Sequence, residues 1–347
     1  MDMIEAFTRF SKERINVARL GIRRVLVTGG AGYIGSHTVK ALLGAGYEVT
    51  VLDDLSRGHP EQIPGVPLVI GDTADGDALR DLFAEKEFGA VVHFASESLV
   101  GESVRNPEKY FRRNVGGGLG LLSAMAKAGV KKMVFSSSAG VYGDPESVPI
   151  PETSPLRPMS PYGETKLFIE KALGWFDQAY GLRSMSLRYF NAAGADPGGK
   201  MGEDHEPETH LIPLVMRAVL TGKPITVFGG DYPTPDGTCI RDYVHVTDLA
   251  AAHVLALEAL GAGKGTTALN IGTGHGFSNM EIIRGVEEVT GQKVPYVMGD
   301  RRPGDPAVLV AACDRARDVL GWTTQHSSLH EIIETAWRWH QSLDSAN

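Results

Sequence analysis

Three side chains have the types and spacing needed to take a proton from an alcohol while a hydride leaves its carbon. Ser136-Ser137-Ser138 closes a predicted strand, and 24 residues after Ser138 comes the run Tyr162-Gly163-Glu164-Thr165-Lys166 on a predicted helix. Residues four apart share one helix face, so Lys166 lies beside Tyr162. A phenol with a pKa of about 10 is a poor base at neutral pH. Bringing it to about 7 requires roughly 4 kcal/mol of preferential phenolate stabilisation, which a neighbouring ammonium and a bound cationic cofactor can supply. Ser138 can then hydrogen-bond the oxygen that loses its proton. Alone, a tyrosine four residues before a lysine is a weak signal, since most such pairs sit on helix surfaces.

The hydride needs an acceptor, and the chain carries a place for one. Val25-Leu26-Val27 runs into Gly29-Gly30-Ala31-Gly32-Tyr33-Ile34-Gly35 and then a helix from near Ser36. Glycines allow a tight turn and let a pyrophosphate approach the backbone N–H groups and positive dipole of the helix start; a side chain at Gly29 or Gly32 is expected to obstruct that approach. Asp53 closes the second strand 18 residues after Gly35, placed to accept both hydroxyls of an adenosine ribose, and Asp54 adds negative charge. A 2'-phosphate is repelled there, which favours NAD over NADP, although Arg57 nearby keeps the second cofactor open. Asp72, at the end of the third strand, is a candidate adenine contact.

The elements that must position these groups alternate. Short β-branched runs at 25–27, 48–52, 68–70, 90–94, 132–136 and 183–189 are separated by amphipathic stretches at 36–45, 77–86, 107–128 and about 160–180. This βαβ rhythm predicts an α/β fold, a doubly wound parallel sheet of Rossmann type. After Asn191 the connections become long and rich in Gly, Pro and Asp, predicting a smaller, mixed α/β substrate-binding lobe. The expected division is an extension over 1–22, a cofactor domain over 23–191 with contributions from about 241–272, and the lobe over 192–347. Ser278 and Glu281 form a capping box opening a helix to Thr290.

Composition narrows the function classes. The 347 residues are 42% hydrophobic and 22% charged with 42 glycines, and the net charge of -8 argues against nucleic acid as a partner. No apolar run is long enough for a membrane span, and Met1 to Ile22 lacks the pattern of a secretory signal. Two cysteines, Cys239 and Cys313, suit a reducing cytoplasm. His205 and His210 lie in an acidic loop, but no ligand spacing of regular kind accompanies them, and no metal is expected.

Together the glycine turn, the serine strand and the Tyr162/Lys166 pair resemble the extended short-chain dehydrogenase/reductases. Within them, residues from about Arg23 to Trp339 resemble the UDP-glucose 4-epimerase family, through the runs VLVTGGAGYIGSHT, VGESV, FSSS, VYGD, SPYGETKL, LRYFNAAGA, MGED, FGGDYPTPDGT, RDYVHVTDLA, NIGTG and RRPGD. The resemblance implies interconversion of UDP-galactose and UDP-glucose: tightly held NAD oxidises carbon 4, the 4-keto sugar turns, and hydride returns to its other face. It implies a UDP-hexose substrate, a cytoplasmic homodimer, and Ser138, Tyr162 and Lys166 as the catalytic set. NAD contacts implied are Gly29, Gly32, Tyr33, Ile34, Gly35, Asp53, Asp54, Leu55, Ser56, Asp72, Thr73, Phe94, Ala95, Ser96 and Phe190, with the catalytic three. Substrate contacts implied beside Ser138 and Tyr162 are Asn191, Leu211, Phe228, Arg241, Arg302, Asp305 and Leu309. The arginines suit the diphosphate and Asp305 the uridine ribose. Leu309 stands where relatives restricted to plain hexoses carry tyrosine, implying weak activity on UDP-N-acetylglucosamine.

Three positions depart from the family pattern: Gly140 for a small side chain, Arg113 for an asparagine before Asn114, and Ser98 for a lysine. One rival reading is a nucleotide-sugar 4,6-dehydratase, which needs acid and base carboxylates just after the catalytic serine; Ala139-Gly140-Val141 supplies none. Another is a non-catalytic NAD-sensing regulator on the same scaffold.

Overall fold

Alternate residues of the first strand, β1 (Arg24–Thr28), point to opposite faces, and both faces are dry. The structure, a computed structural model, describes residues 21–302 and 305–344. The extension expected over 1–22 lies outside these except for Gly21 and Ile22, and Ile22 is buried in the main core. After β1 come α1 (Tyr33–Gly44), β2 (Glu48–Asp53), β3 (Leu68–Ile70), α2 (Gly76–Glu85) and β4 (Ala90–His93). Then follow α3 (Val100–Arg105), α4 (Pro107–Tyr110), α5 (Gly117–Ala128), β5 (Lys132–Ser138), α6 (Pro161–Tyr180) and β6 (Arg183–Tyr189).

The remaining chain contributes β7 (Asn191–Ala193), α7 (Leu211–Thr221), β8 (Ile225–Phe228), β9 (Ile240–Arg241), β10 (Tyr243–His245), α8 (Val246–Gly261) and β11 (Thr267–Ile271). It ends with β12 (Phe277–Ser278), α9 (Asn279–Thr290), β13 (Tyr296–Gly299), β14 (Val308–Leu309), α10 (Asp314–Leu320) and α11 (Leu329–Asp344).

Seven strands form one sheet in the order β11-β6-β5-β4-β1-β2-β3, every pair parallel. Val25, Val27 and Val92 face one core, shared with Val39 and Leu42 of α1 and with Leu249, Ala256 and Leu257 of α8. Leu26, Val91 and Met133 face the other, shared with Leu79 of α2, Leu121 and Met125 of α5, and Ile169 and Leu173 of α6. This is the doubly wound sheet that the alternating runs predict. Strand order reverses where β4 and β2 flank β1, and the crevice beyond the carboxyl ends of the strands there is where such sheets take ligands.

A third core joins α7, α9 and α11 through Ile212, Val215, Ile282, Ile283, Ile332 and Ile333. Short strand pairs hold this lobe against the sheet: β10 lies parallel to β7, and β9 pairs with both β12 and β14. The capping box of Ser278 and Glu281 forms at the start of α9.

The predicted helix over 107–128 is interrupted. A π-helical turn at Phe111–Gly116 separates α4 from α5. Its extra residue has a local cause. Asn114 turns its amide to the backbone of Glu97, accepting from the N–H at 2.8 Å and donating to the carbonyl at 3.0 Å, and donates to Thr165 Oγ1 at 3.0 Å. Such bulges cluster at functional sites. Within this one, Arg113 lines the crevice and Asn114 is buried behind it.

Candidate active site

At the carboxyl end of β1 the glycines have different reasons to be glycine. Gly29 has φ +71°, and a Cβ there would lie 2.6 Å from the backbone nitrogen of Ala95. The obstruction expected at Gly29 is therefore with the protein's own neighbouring loop. At Gly35 a Cβ would meet the carbonyl oxygen of Gly29 at 2.1 Å, so the helix could not pack on the turn. At Gly32 a Cβ meets no protein atom nearer than 3.5 Å, and the residue lines the main cavity; its bareness keeps the cavity clear. The start of α1 has no side-chain cap at Gly32 and no acidic residue in its first turn. Its N–H groups and positive dipole are left for an anion, as a pyrophosphate requires.

The cavity holds about 420 Å³ and runs from this turn past the acidic end of β2 to the serine strand. Gly29, Gly32, Tyr33, Ile34, Gly35, Asp53, Asp54, Ser56, Asp72 and Thr73 line one end. Phe94, Ala95, Ser96, Ser138, Tyr162, Lys166, Phe190 and Asn191 line the rest. Leu55 does not line it: its side chain packs on the main core, its backbone has φ +57°, and its N–H donates to Asp53 Oδ1 at 2.9 Å. Asp53 Oδ2 accepts the N–H of Ala31, also at 2.9 Å. Burial raises the Asp53 carboxyl above its usual value, with these two N–H groups pulling against it. Arg113 reaches Asp54 Oδ2 and Asp72 Oδ2, each at 2.9 Å, and Glu97 Oε1 at 3.4 Å. The departure at 113 thus ties the acidic groups together, while the amide contacts fall to Asn114.

Lys166 is buried on α6, and its Nζ donates to Ser96 Oγ and to the Ser136 carbonyl, each at 2.8 Å. Nζ stands 5.7 Å from the Tyr162 ring centroid, on the shared helix face. Burial pushes the lysine down to about 7. Burial also raises the Tyr162 phenol, opposed by its hydrogen bond with Ser138. Burial thus outweighs the Ser138 hydrogen bond at the phenol, and Lys166 donates to Ser96 and Ser136 rather than to Tyr162. Ser138 Oγ accepts the Gly140 N–H at 3.1 Å, and a Cβ at Gly140 would stand 3.3 Å from that oxygen. Sequence reading missed Tyr189, whose hydroxyl bonds Ser136 Oγ behind the site.

The remaining candidates gather on the lobe, outside the lining of this cavity. Arg241 on β9 pairs with Asp305 and donates to the Ile240 carbonyl at 2.8 Å. Leu309 lies opposite Arg241 in the β9–β14 register. It packs on the small core of Val141, Tyr142 and Leu167, as does Phe190. Arg302 stacks on Phe228, guanidinium carbon 4.1 Å from the ring centroid. Leu211 opens α7 and packs on the third core. The Asn191 N–H donates to the Asp242 carbonyl at 3.0 Å, joining this group to the cavity wall.

Linear spacing also concealed a cluster. Glu203, His205, Glu208 and His210 bring one donor atom each to within 4.8 Å of one another, and Glu203, His205 and His210 line the cavity beside Tyr33. Burial lowers His210, but the Glu203 and Glu208 charges outweigh it and hold the imidazole well above its usual value.

A doubly wound sheet with this turn and this tyrosine–lysine helix defines a class, and the chain belongs to it: residues 25–272 match the NAD dependent epimerase/dehydratase family. Relatives that it resembles over most of its length include UDP-glucose 4-epimerases. That of Lacticaseibacillus casei is 52% identical over 320 residues, which cover 92% of this chain and 97% of the relative. The structure of the enzyme from Brucella ovis in complex with NAD is 49% identical with a TM-score of 0.89, covering 91% of this chain and 97% of that one. The structure from Stenotrophomonas maltophila, with bound NAD and formylated UDP-arabinopyranose, is 40% identical with a TM-score of 0.90, covering 94% and 100%.

Proposed function

We propose that this chain catalyses the reversible 4-epimerisation of UDP-galactose and UDP-glucose through a 4-keto sugar. The observation that carries the reading is the convergence of Ser138, Tyr162 and Lys166 on the cavity whose other end is the uncapped helix start and Asp53. NAD held in that cavity by the glycine turn and Asp53 would supply the hydride acceptor for carbon 4 of the sugar and, while oxidised, a positive charge near the Tyr162 phenol. Tyr162 accepts the 4-hydroxyl proton and later gives it back. Ser138 holds the reacting oxygen, and Lys166 fixes the catalytic end of the cavity through Ser96 and the Ser136 carbonyl. Asp53 accepts the adenosine ribose hydroxyls, with Asp54 and Asp72 alongside. Arg241 and Arg302 grip the diphosphate, Asp305 the uridine ribose, and Asn191, Leu211, Phe228 and Leu309 wall the sugar and uracil. Incubating purified protein with UDP-galactose and identifying the product tests the assignment. UDP-glucose is expected; a 4-keto-6-deoxy sugar indicates the dehydratase, and no product with NAD bound indicates the regulator.

The finer readings are a homodimer and a cytoplasmic location. Supporting the first, α3 and α6 pack together and expose apolar side chains, among them Val104 (62%), Trp175 (68%) and Phe168 (46%), of the kind that mark an interface. Sedimentation of the wild type and of Trp175→Glu checks this, with a dimer expected only in the former. Supporting the second, Cys239 and Cys313 are both free thiols. Among the described residues no helix is long and apolar enough to cross a membrane.

A further inference from the structure

We propose that Glu203, His205, Glu208 and His210 form a binding site for one divalent cation of the zinc class, independent of the epimerase reading. The donor set is two imidazoles and two carboxylates, which borderline ions such as Zn²⁺ accept in tetrahedral geometry. Metal–ligand bonds of about 2.0–2.1 Å in a tetrahedron place ligand atoms roughly 3.3 Å apart. The separations here bracket that value. Glu203 Oε1 lies 2.6 Å from His210 Nδ1 and 3.2 Å from His205 Nδ1. Glu208 stands 3.4 Å from His210 Nδ1 through Oε1 and 3.8 Å from His205 Nδ1 through Oε2.

A second observation points to a ligand. Both Nδ1 atoms are buried inside the cluster, each within ion-pair distance of Glu203 and Glu208 and, among the described residues, with no hydrogen-bond partner outside it. The nitrogens and the carboxylates converge on one point, as ligands of a shared centre do. Charge balance agrees. The two carboxylates are almost fully buried, with side-chain exposures of 6% and 2%, and need two positive charges. One divalent cation held between the rings, whose centroids are 5.6 Å apart, supplies both.

The ligands are also held from behind. Glu208 Oε1 accepts the N–H groups of Thr209 at 2.6 Å and His210 at 2.7 Å, which orients the carboxylate. The Glu203 carbonyl accepts the indole N–H of Trp339 at 2.9 Å, and the His205 ring stands edge-on to Tyr33. An ion there pins this loop between α11 and the helix that follows the glycine turn.

The test uses full-length protein stripped with a chelator, with cofactor content measured separately, and Zn²⁺ as titrant. Calorimetry is expected to show one saturable site per chain, with a higher Tm on loading and no effect of equimolar Mg²⁺. Glu208→Gln and His205→Asn should each weaken uptake at least tenfold, and Cys239→Ser with Cys313→Ser should not. Co²⁺ loaded into the wild type should give the intense visible bands of a four-coordinate site without thiolate charge transfer, a readout that depends on no variant folding. Absence of saturable uptake, uptake unchanged in the Glu208→Gln/His205→Asn double variant, or uptake abolished by the cysteine substitutions would each overturn the proposal. None of these readouts depends on sugar turnover, so the two assignments fail separately.

Discussion

Lys166 is buried with a hydroxyl and a carbonyl as partners, neither of them anionic. In the unfolded chain the ammonium keeps its proton to about 10.5, and in the fold only to about 7. Between those values the unfolded chain binds more protons, so stability rises with pH across that window, and below about 7 the cost of burial is fully present, on the order of a few kcal/mol. Lys166→Met is therefore expected to raise the Tm of cofactor-stripped protein at pH 7 by about a few degrees while removing activity, and the gap to wild type should close toward pH 10. Thermal melts over a pH series check this. Tyr162→Phe is expected to keep the fold and the bound NAD but to lower turnover at least about a hundredfold, because it deletes the proton acceptor and leaves the ring; steady-state rates beside cofactor content decide it. Leu309 packs beside Phe190 and opposite Arg241. Leu309→Tyr should selectively remove weak turnover on UDP-N-acetylglucosamine, an effect worth about 1–3 kcal/mol; an unchanged ratio of the two substrates would show that position 309 is not the gate. At this scale the residue types were legible because Tyr162, Lys166 and Ser138 keep their meaning in linear spacing. Their electrostatics were not, since the partners that occupy the lysine, Ser96 and Ser136, reach it only through the sheet.

The glycine turn separates structural from cofactor demands within seven residues. Gly35→Ala sets a methyl 2.1 Å from a carbonyl and is expected to lower Tm sharply, whereas Gly32→Ala, with 3.5 Å of room in the protein, should leave Tm near wild type. The loss at Gly32 should instead appear as NAD occupancy, measured on the denatured supernatant. The elements were legible because dry strands and amphipathic helices have different periods. The π turn at Phe111–Gly116 was not, because it arises from the Asn114 side chain meeting the backbone of Glu97, a contact between segments 17 residues apart. The Glu203–His210 cluster escaped for a similar reason: a loop without periodicity gives no sign of which side chains converge.

Across the whole molecule, two ends of one cavity and a lobe bearing Arg241, Arg302 and Asp305 are brought together by a sheet whose last strand, β11, returns from beyond the lobe's first elements. That return is anticipated in the expected contribution of about 241–272 to the cofactor domain, but the seating of the lobe is not, since it rests on two- and three-residue strands such as β9, β10 and β14 that carry almost no pattern. Hydride removed from carbon 4 must stay in the cavity until it returns to the same carbon. Turnover of UDP-galactose in D₂O, followed by mass spectrometry of the product sugar, tests this directly. UDP-glucose with no deuterium on carbon is expected; deuterium bonded to carbon in the product, or failure to convert with NAD fully bound, would contradict it.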